Sequence, residues 1–212
     1  MQTKVAADTS NDFIDRKEAV MYLVHFVGDI HQPLHTEDLD RGGNEIDVHF
    51  DGRKENLHGI WDSDILHKYR GVPQSLPKSR EKVAAAQLAD ELFQAQRAGL
   101  LTADTKCNLG EECSDVSTAQ KCALRWASEA NCRICTHVLQ PSVEWLEEND
   151  LGDEYFDAAV PVVMEMLGKA GVRLGAWLNA LAAAQSVGGL QRQIPDASQH
   201  ELELREQRLL RT

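Results

Sequence analysis

The sequence predicts an all-α protein, a compact multi-helix domain carrying one small β-hairpin. Three observations lead there. Apolar residues recur at steps of three, four or seven over most of the chain, which is the helical period. Strict apolar/polar alternation occurs once, at Ile46, Val48 and Phe50 against Asp47 and His49, just before the turn signal Asp51-Gly52. A length of 212 residues with 42% hydrophobic content suits one sizeable globular domain better than two.

The first helix is expected from about Asp12 to Gln32, ended by Pro33, because proline disfavours a helical residue before it. Its segment AVMYLVHFVGDI, Ala19 to Ile30, is apolar nearly all round and is expected to be buried. The hairpin covers about Glu45 to Lys54. Helical patterns resume over His58 to Tyr69, Arg80 to Ala98, Ser117 to Val138 and Val143 to Glu148. The longest helix runs from about Asp153 to Ala184, where Phe156, Val160, Val163, Leu167, Leu174, Leu178 and Leu181 form a core-facing stripe. The first and last of these helices are expected to pack on each other, both being apolar over most of their surface. After Ser186-Val187-Gly188-Gly189 the chain turns polar, and Glu201 to Arg211 has the length for only a short solvated helix. No internal repeat is present.

The charge balance is acidic, with 34 Asp and Glu against 22 Lys and Arg and a net charge of -12. That excludes nucleic-acid binding through a broad basic surface, so a phosphate-bearing substrate would need bound metal for its positive field. No apolar run reaches membrane-span length, and MQTKVAADTSND lacks the apolar core of a signal peptide. Five cysteines, Cys107, Cys113, Cys122, Cys132 and Cys135, cluster mid-chain. They read as disulfides, with Cys107 and Cys113 as a local loop bridge and one cysteine left over. The single C-x-x-C pair, Cys132 and Cys135, is a weak metal or redox signal.

Chemistry concentrates elsewhere. His25, Asp29, His35, His58 and Asp62 fall within 38 consecutive residues. His25 with Asp29 and His58 with Asp62 are i,i+4 pairs, which a helix places on one face about 6 Å apart. With no Lys or Arg within a turn, a buried Asp29 calls for a metal cation. His31 lies about 200° around the helix from Asp29 and reads as a supporting or structural residue. His49 shares a strand face with Asp47 and reads as exposed. His67, His137 and His200 have no ligand-like neighbours and read as solvated. Trp61 reads as core, and Gly42-Gly43 as a turn.

The string YLVHFVGDIHQPLH, then GGNEIDVHF, then NLHGIWD, with the later LRWASEAN and GVRLGAWLN, resembles the S1/P1 nuclease family over about Phe13 to Ala184. The zinc phospholipase C enzymes share the ligand spacing but not, as closely, the GGN and NLHxxWD context. The resemblance implies a secreted, monomeric, mostly helical zinc enzyme that cuts single-stranded DNA and RNA to 5′-phosphorylated products and removes 3′-phosphates from nucleotides, with no membrane partner. It implies that His25 and Asp29 are ligands of an inner zinc pair, with Asp29 bridging and catalytic. It implies also that His35, His58 and Asp62 hold a third zinc. In the family the nucleophile lies between the inner zincs, so no base residue is required, and binding through base stacking and metal–phosphate contact suits an acidic protein.

Members of that family begin with a Trp whose amino group binds zinc, followed by a His, an Asp and a second His, and an upstream arginine meets the phosphate. No histidine precedes His25 here. The chain therefore reads as an N-terminally truncated member with residues 1–12 as an N-terminal remnant, 13–184 as the nuclease-like domain and 185–212 as a polar C-terminal tail. The resemblance places the disulfide partner of Cys135 in the absent portion, and the lack of a signal peptide would follow from the same truncation. About one zinc is then expected to be well held. The alternatives are a non-catalytic zinc-binding remnant or a zinc phospholipase C-like esterase.

Overall fold

Asp12 starts the first long helix. Its backbone is extended and its carboxylate accepts from the Asp15 N–H at 2.8 Å, satisfying a donor that a helix start leaves free. In the computed structural model, which describes residues 2–8, 10–100, 107, 113 and 115–187, this helix is α2 (Phe13–Asp29), preceded by a short α1 (Gln2–Ala7) that the sequence reading did not anticipate. A 3-10 turn, Pro33–Thr36, and a tight turn, α3 (Asp40–Gly43), lead to β1 (Asp47–Phe50) and β2 (Arg53–Asn56). Then come α4 (Leu57–Gly59), a π-helical stretch Ile60–Asp64, α5 (Ile65–Arg70) and α6 (Lys78–Arg97). A 3-10 turn Val116–Thr118 opens α7 (Ala119–Arg133), which continues through a π stretch Ile134–Val138; α8 (Val143–Glu148) and α9 (Glu154–Val187) complete the described fold. The protein is thus mainly helical with one two-stranded antiparallel sheet, and Glu201 to Arg211 lies outside the described residues.

The hairpin follows its alternation. Val48 pairs with Glu55 and Phe50 with Arg53, and both apolar residues are buried while Asp47 and His49 are exposed. Asp51 and Gly52 have φ of 52° and 74°, the mirror-image turn that suits the twist of paired strands. The Asp150 carboxylate accepts from both turn N–H groups, at 2.9 and 2.6 Å, and fastens the hairpin to the start of α9.

Two apolar cores share α7 and α9. One joins Val48, Phe50, Leu57, Ile60 and Trp61 to Ala130, Ile134, Tyr155 and Met166. The other joins Ala19, Leu23 and Val27 of α2 to Cys122, Trp126, Trp177 and Leu181, so α2 packs on α9 as the two apolar patterns require. Trp61 belongs to the core and donates from its indole N–H to the Tyr155 hydroxyl at 2.8 Å.

Between the cores lies a layer of buried charge. Arg133 and Glu129 project from α7, one turn apart, and face Glu165, Lys169 and Arg173, each one turn further along α9. Arg133 reaches both Glu165 carboxylate oxygens at 2.8 Å, Lys169 meets Glu165 at 2.9 Å, and Arg173 bonds Glu129. Arg173 also donates to His31 Nε2 at 2.9 Å, while His31 Nδ1 faces the Val27 carbonyl at 2.7 Å. His31 is therefore structural, turned inward from the end of α2.

Two sequence expectations are corrected. Cys107 pairs with Cys132, and Cys113 with Cys122; no Cys107–Cys113 bridge forms. Disulfides follow the approach of Cα atoms, here 5.6 and 5.4 Å, and α7 brings Cys122 and Cys132 to cysteines that are not their neighbours in sequence. Cys135 is unpaired and exposed. The first helix stops at Asp29 instead of Gln32, because Ile30, His31 and Gln32 leave it through turns that carry His31 into the core.

Burial, with the Arg173 and Lys169 charges assisting, pushes the His31 pKa down to about 4, against the Val27 carbonyl and Glu129, which favour the cation. In the unfolded chain it is about 6.5. Between those values the unfolded chain binds a proton that the folded chain refuses, so stability falls as pH drops through that window, by up to about 3 kcal/mol. Urea unfolding of the metal-free chain at pH 7 and pH 4 should show that loss, and His31→Gln should reduce it. An unchanged pH dependence in the variant would remove His31 as its source.

Candidate metal centre

The ligand-type residues reach their positions by local rules. Asp29 is the last residue of α2 and His25 stands one turn earlier on the same face. Gln32 begins the next turn, its side-chain oxygen accepting from the Leu34 N–H, and Pro33, with no N–H to leave unsatisfied, starts the short helix that presents His35. Asn56 caps α4 by accepting from the Gly59 N–H at 2.8 Å, and α4 with the π stretch after it carries His58 and Asp62.

His35, His58 and Asp62 converge. His35 Nε2 lies 3.1 Å from Asp62 Oδ1 and His58 Nε2 lies 3.2 Å from Asp62 Oδ2. The two imidazoles stack with centroids 5.0 Å apart, and one donor atom from each of the three residues fits within a 4.8 Å span. The other two residues extend the chain of contacts: His35 Nδ1 is 3.7 Å from Asp29 Oδ1, and Asp29 Oδ2 is 3.2 Å from His25 Nε2. His35 is the pivot, with one ring nitrogen toward each carboxylate.

Imidazole and carboxylate donors without a built-in cation make a set suited to zinc. Among the described residues, the ion pairs of Asp29 and Asp62 are with histidines alone. His58 Nδ1 faces the Gly42 carbonyl at 2.7 Å, so its proton belongs there and the Nε2 lone pair points at the cluster. Gln32 donates to Asp62 Oδ1 at 2.7 Å and orients that carboxylate. A cavity of about 240 Å³ opens beside Asp29, His35 and Asp62, with Leu66, Met166 and Leu167 as its apolar wall.

The expectation that His25 and Asp29 are buried is corrected. Their side chains are 67% and 39% exposed. Only the Ala19, Leu23 and Val27 stripe of α2 is buried, and His25 lies about 200° around the helix from Val27. The apolar residues Met21, Tyr22, Val24 and Phe26 are exposed with it, so an apolar composition all round did not mean burial all round. His67 and His137 are half-buried instead of solvated, and His137 Nδ1 sits 2.8 Å from the Thr136 hydroxyl. His49 is exposed, and His200 lies outside the described residues.

Three supporting residues escaped the sequence reading. Gly42 makes the turn that its sequence predicts, and its carbonyl also holds His58. Its φ is 66°, and a Cβ there would stand 2.7 Å from the Leu34 carbonyl oxygen. Gln32 has no pattern to betray it. Asn131, within LRWASEAN, donates to the Thr36 carbonyl at 2.8 Å and to Glu37 at 3.2 Å, beside His35. The Glu37 carboxylate accepts from the Leu39 and Asp38 N–H groups, and those bonds hold its pKa below the usual range.

Comparison with known proteins gives the family. The S1/P1 Nuclease family profile matches residues 1–183. Nuclease S1 of Aspergillus oryzae is 36% identical over 168 residues, which are 79% of this chain and 55% of that protein. Nuclease P1 of Penicillium citrinum is 33% identical over 184 residues, 86% of this chain and 64% of that protein. Endonuclease 2 of Arabidopsis thaliana is 32% identical over 189 residues, 84% of this chain and 56% of that protein. The chain thus spans between 55% and 64% of the length of these relatives. By the profile match over most of its length, the chain belongs to the S1/P1 nuclease family.

Proposed function

We propose that this chain contributes to a zinc-dependent endonuclease that hydrolyses phosphodiester bonds of single-stranded DNA and RNA to 5′-phosphorylated products, with 3′-nucleotidase activity alongside, and that the enzyme acts as a secreted monomer. The observation that carries the reading is the convergence of His35, His58 and Asp62, one donor atom each within 4.8 Å, beside Asp29 and His25. The nuclease and endonuclease names of its relatives support the reaction class. Two disulfides suit an oxidising compartment, and no helix among the described residues is long and apolar enough to cross a membrane.

In this reading His35, His58 and Asp62 would hold one zinc, and His25 and Asp29 would offer ligands to an inner pair, with Asp29 as the catalytic carboxylate. Zinc held there would supply Lewis acidity toward phosphoryl oxygens and would acidify water at neutral pH. The residues of the chain do the rest. Gly42 fixes the His58 ring, Gln32 fixes one Asp62 oxygen, and His35 ties the two carboxylates together. The apolar wall of the cavity sheds water beside the acids and offers surface on which a nucleotide can rest without sequence preference.

Zinc titration of residues 1–212 should show about one tightly held ion, lost in His58→Ala. Unchanged zinc content in that variant would sink the assignment. Gly42→Ala adds a methyl group against the Leu34 carbonyl at a left-handed φ, and it should lower stability by about 1–3 kcal/mol and weaken zinc retention as His58 shifts. Wild-type zinc affinity in that variant would show that the turn does not set the His58 position. Two protein ligands, His25 and Asp29, hold an inner metal weakly, so residues 1–212 should cleave single-stranded DNA little. Robust, EDTA-sensitive cleavage by this chain, lost in Asp29→Asn, would show that the ligands it carries suffice.

A further inference from the structure

His35 and His58 sit on separate turns, and among the described residues no backbone hydrogen bond outside regular helix and strand joins Pro33–Thr36 to the segment 57–64. His35 lies on Pro33–Thr36, and His58 is held at its outer nitrogen by Gly42. The segment between these two points is short and strained. Asp40, Arg41, Gly42 and Gly43 all have positive φ, 47°, 55°, 66° and 79°, a run that non-glycine residues adopt only when their surroundings hold them there. Something must hold the start of that loop.

Glu37 and Asn131 stand at that point. One Glu37 oxygen accepts from the Asp38 and Leu39 N–H groups at 2.9 and 3.1 Å, closing the first turn of the loop. Its other oxygen accepts from the Asn131 amide at 3.2 Å, and the same amide donates to the Thr36 carbonyl at 2.8 Å, one residue from His35. Asn131 in turn lies on α7 between Glu129 and Arg133, which the buried ion pairs tie to α9. A single amide thus connects the rigid helix pair to the segment that carries His35 and to the loop that ends on the His58 hydrogen bond.

We propose that Asn131, acting through Glu37, is a positioning residue for the metal centre, setting the separation of His35 and His58. The proposal rests on the metal reading of that cluster. It gives the LRWASEAN motif a role that its distance in sequence from the ligands hides. Among the described residues the Asn131 amide bonds the Thr36 carbonyl and Glu37 and no ligand side chain, so its effect passes through the backbone of residues 36–42. Hydrogen bonds that hold a ligand in place from behind are worth on the order of 10- to 100-fold in metal affinity.

Cobalt(II) binding to the 212-residue chain, followed by visible absorption, tests this. Asn131→Ala should weaken cobalt affinity roughly 10-fold or more and shift the ligand-field bands. Asn149→Ala is the control: Asn149 donates one amide bond of the same 2.8 Å length to the Trp145 carbonyl, away from the centre, and its removal should lower Tm while leaving cobalt affinity and spectrum unchanged. Glu37→Gln is the second variant, retaining the side-chain shape while placing an amide where a carboxylate accepts three N–H groups. It should shift the bands in the same direction as Asn131→Ala, and it serves alone where Asn131→Ala does not fold. Bands and affinity equal to wild type in whichever of the two variants folds would overturn the proposal. A wild-type chain that takes up no cobalt, or one whose uptake survives His58→Ala, would overturn the metal reading and the positioning role with it.

Discussion

The buried ion pairs between α7 and α9 are the constraint on which the rest depends. Charges so deeply removed from water are tolerated only when every partner is in place, and a slip of one turn along either helix would oppose like charges or leave one unpaired. Arg133 with Glu165 and Arg173 with Glu129 therefore fix the axial register of the two helices that both apolar cores share. Hydrophobic contacts alone would tolerate sliding, since one apolar side chain replaces another at modest cost.

From that register the rest of the site takes its place. Arg173 reaches past Glu129 to His31 and holds the exit of α2, two residues beyond Asp29. The same turn of α7 lifts Asn131 to the level of the His35 segment. On the opposite side, the hairpin is fastened by Asp150, and its second strand leads directly into the Asn56 cap and His58. Residues from the end of α2, from the Pro33–Thr36 turn and from α4 with the π stretch after it thus meet at one point.

Much of this was legible in the residues. The helical stripes gave the main helices to within a few residues, since burial of an apolar face and a 3.6-residue period leave few other solutions. The alternation before Asp51-Gly52 marked the hairpin and its turn. The i,i+4 pairs in VHFVGD and LHGIWD, with His35 between them, marked the candidate ligands, and the structure brings all five into one chain of contacts. Burial of His25 and Asp29 was misread because composition does not report which face of a helix finds a neighbour. The disulfides were misread because proximity in sequence is a poor guide to approach of Cα atoms.

The sequence by itself determined the identity of the donors, their spacing along the chain, and the period that makes the protein helical, because these are properties of consecutive residues. Tertiary structure alone decided that His35 faces both Asp29 and Asp62, that Gly42 fixes the His58 tautomer, and that Asn131 and Arg173 support the segment from His31 to Glu37 across gaps of 94 to 142 residues. Those contacts join residues that no local pattern links. Their positions follow from how two cores and a layer of buried charge are packed together, and only the folded chain contains that information.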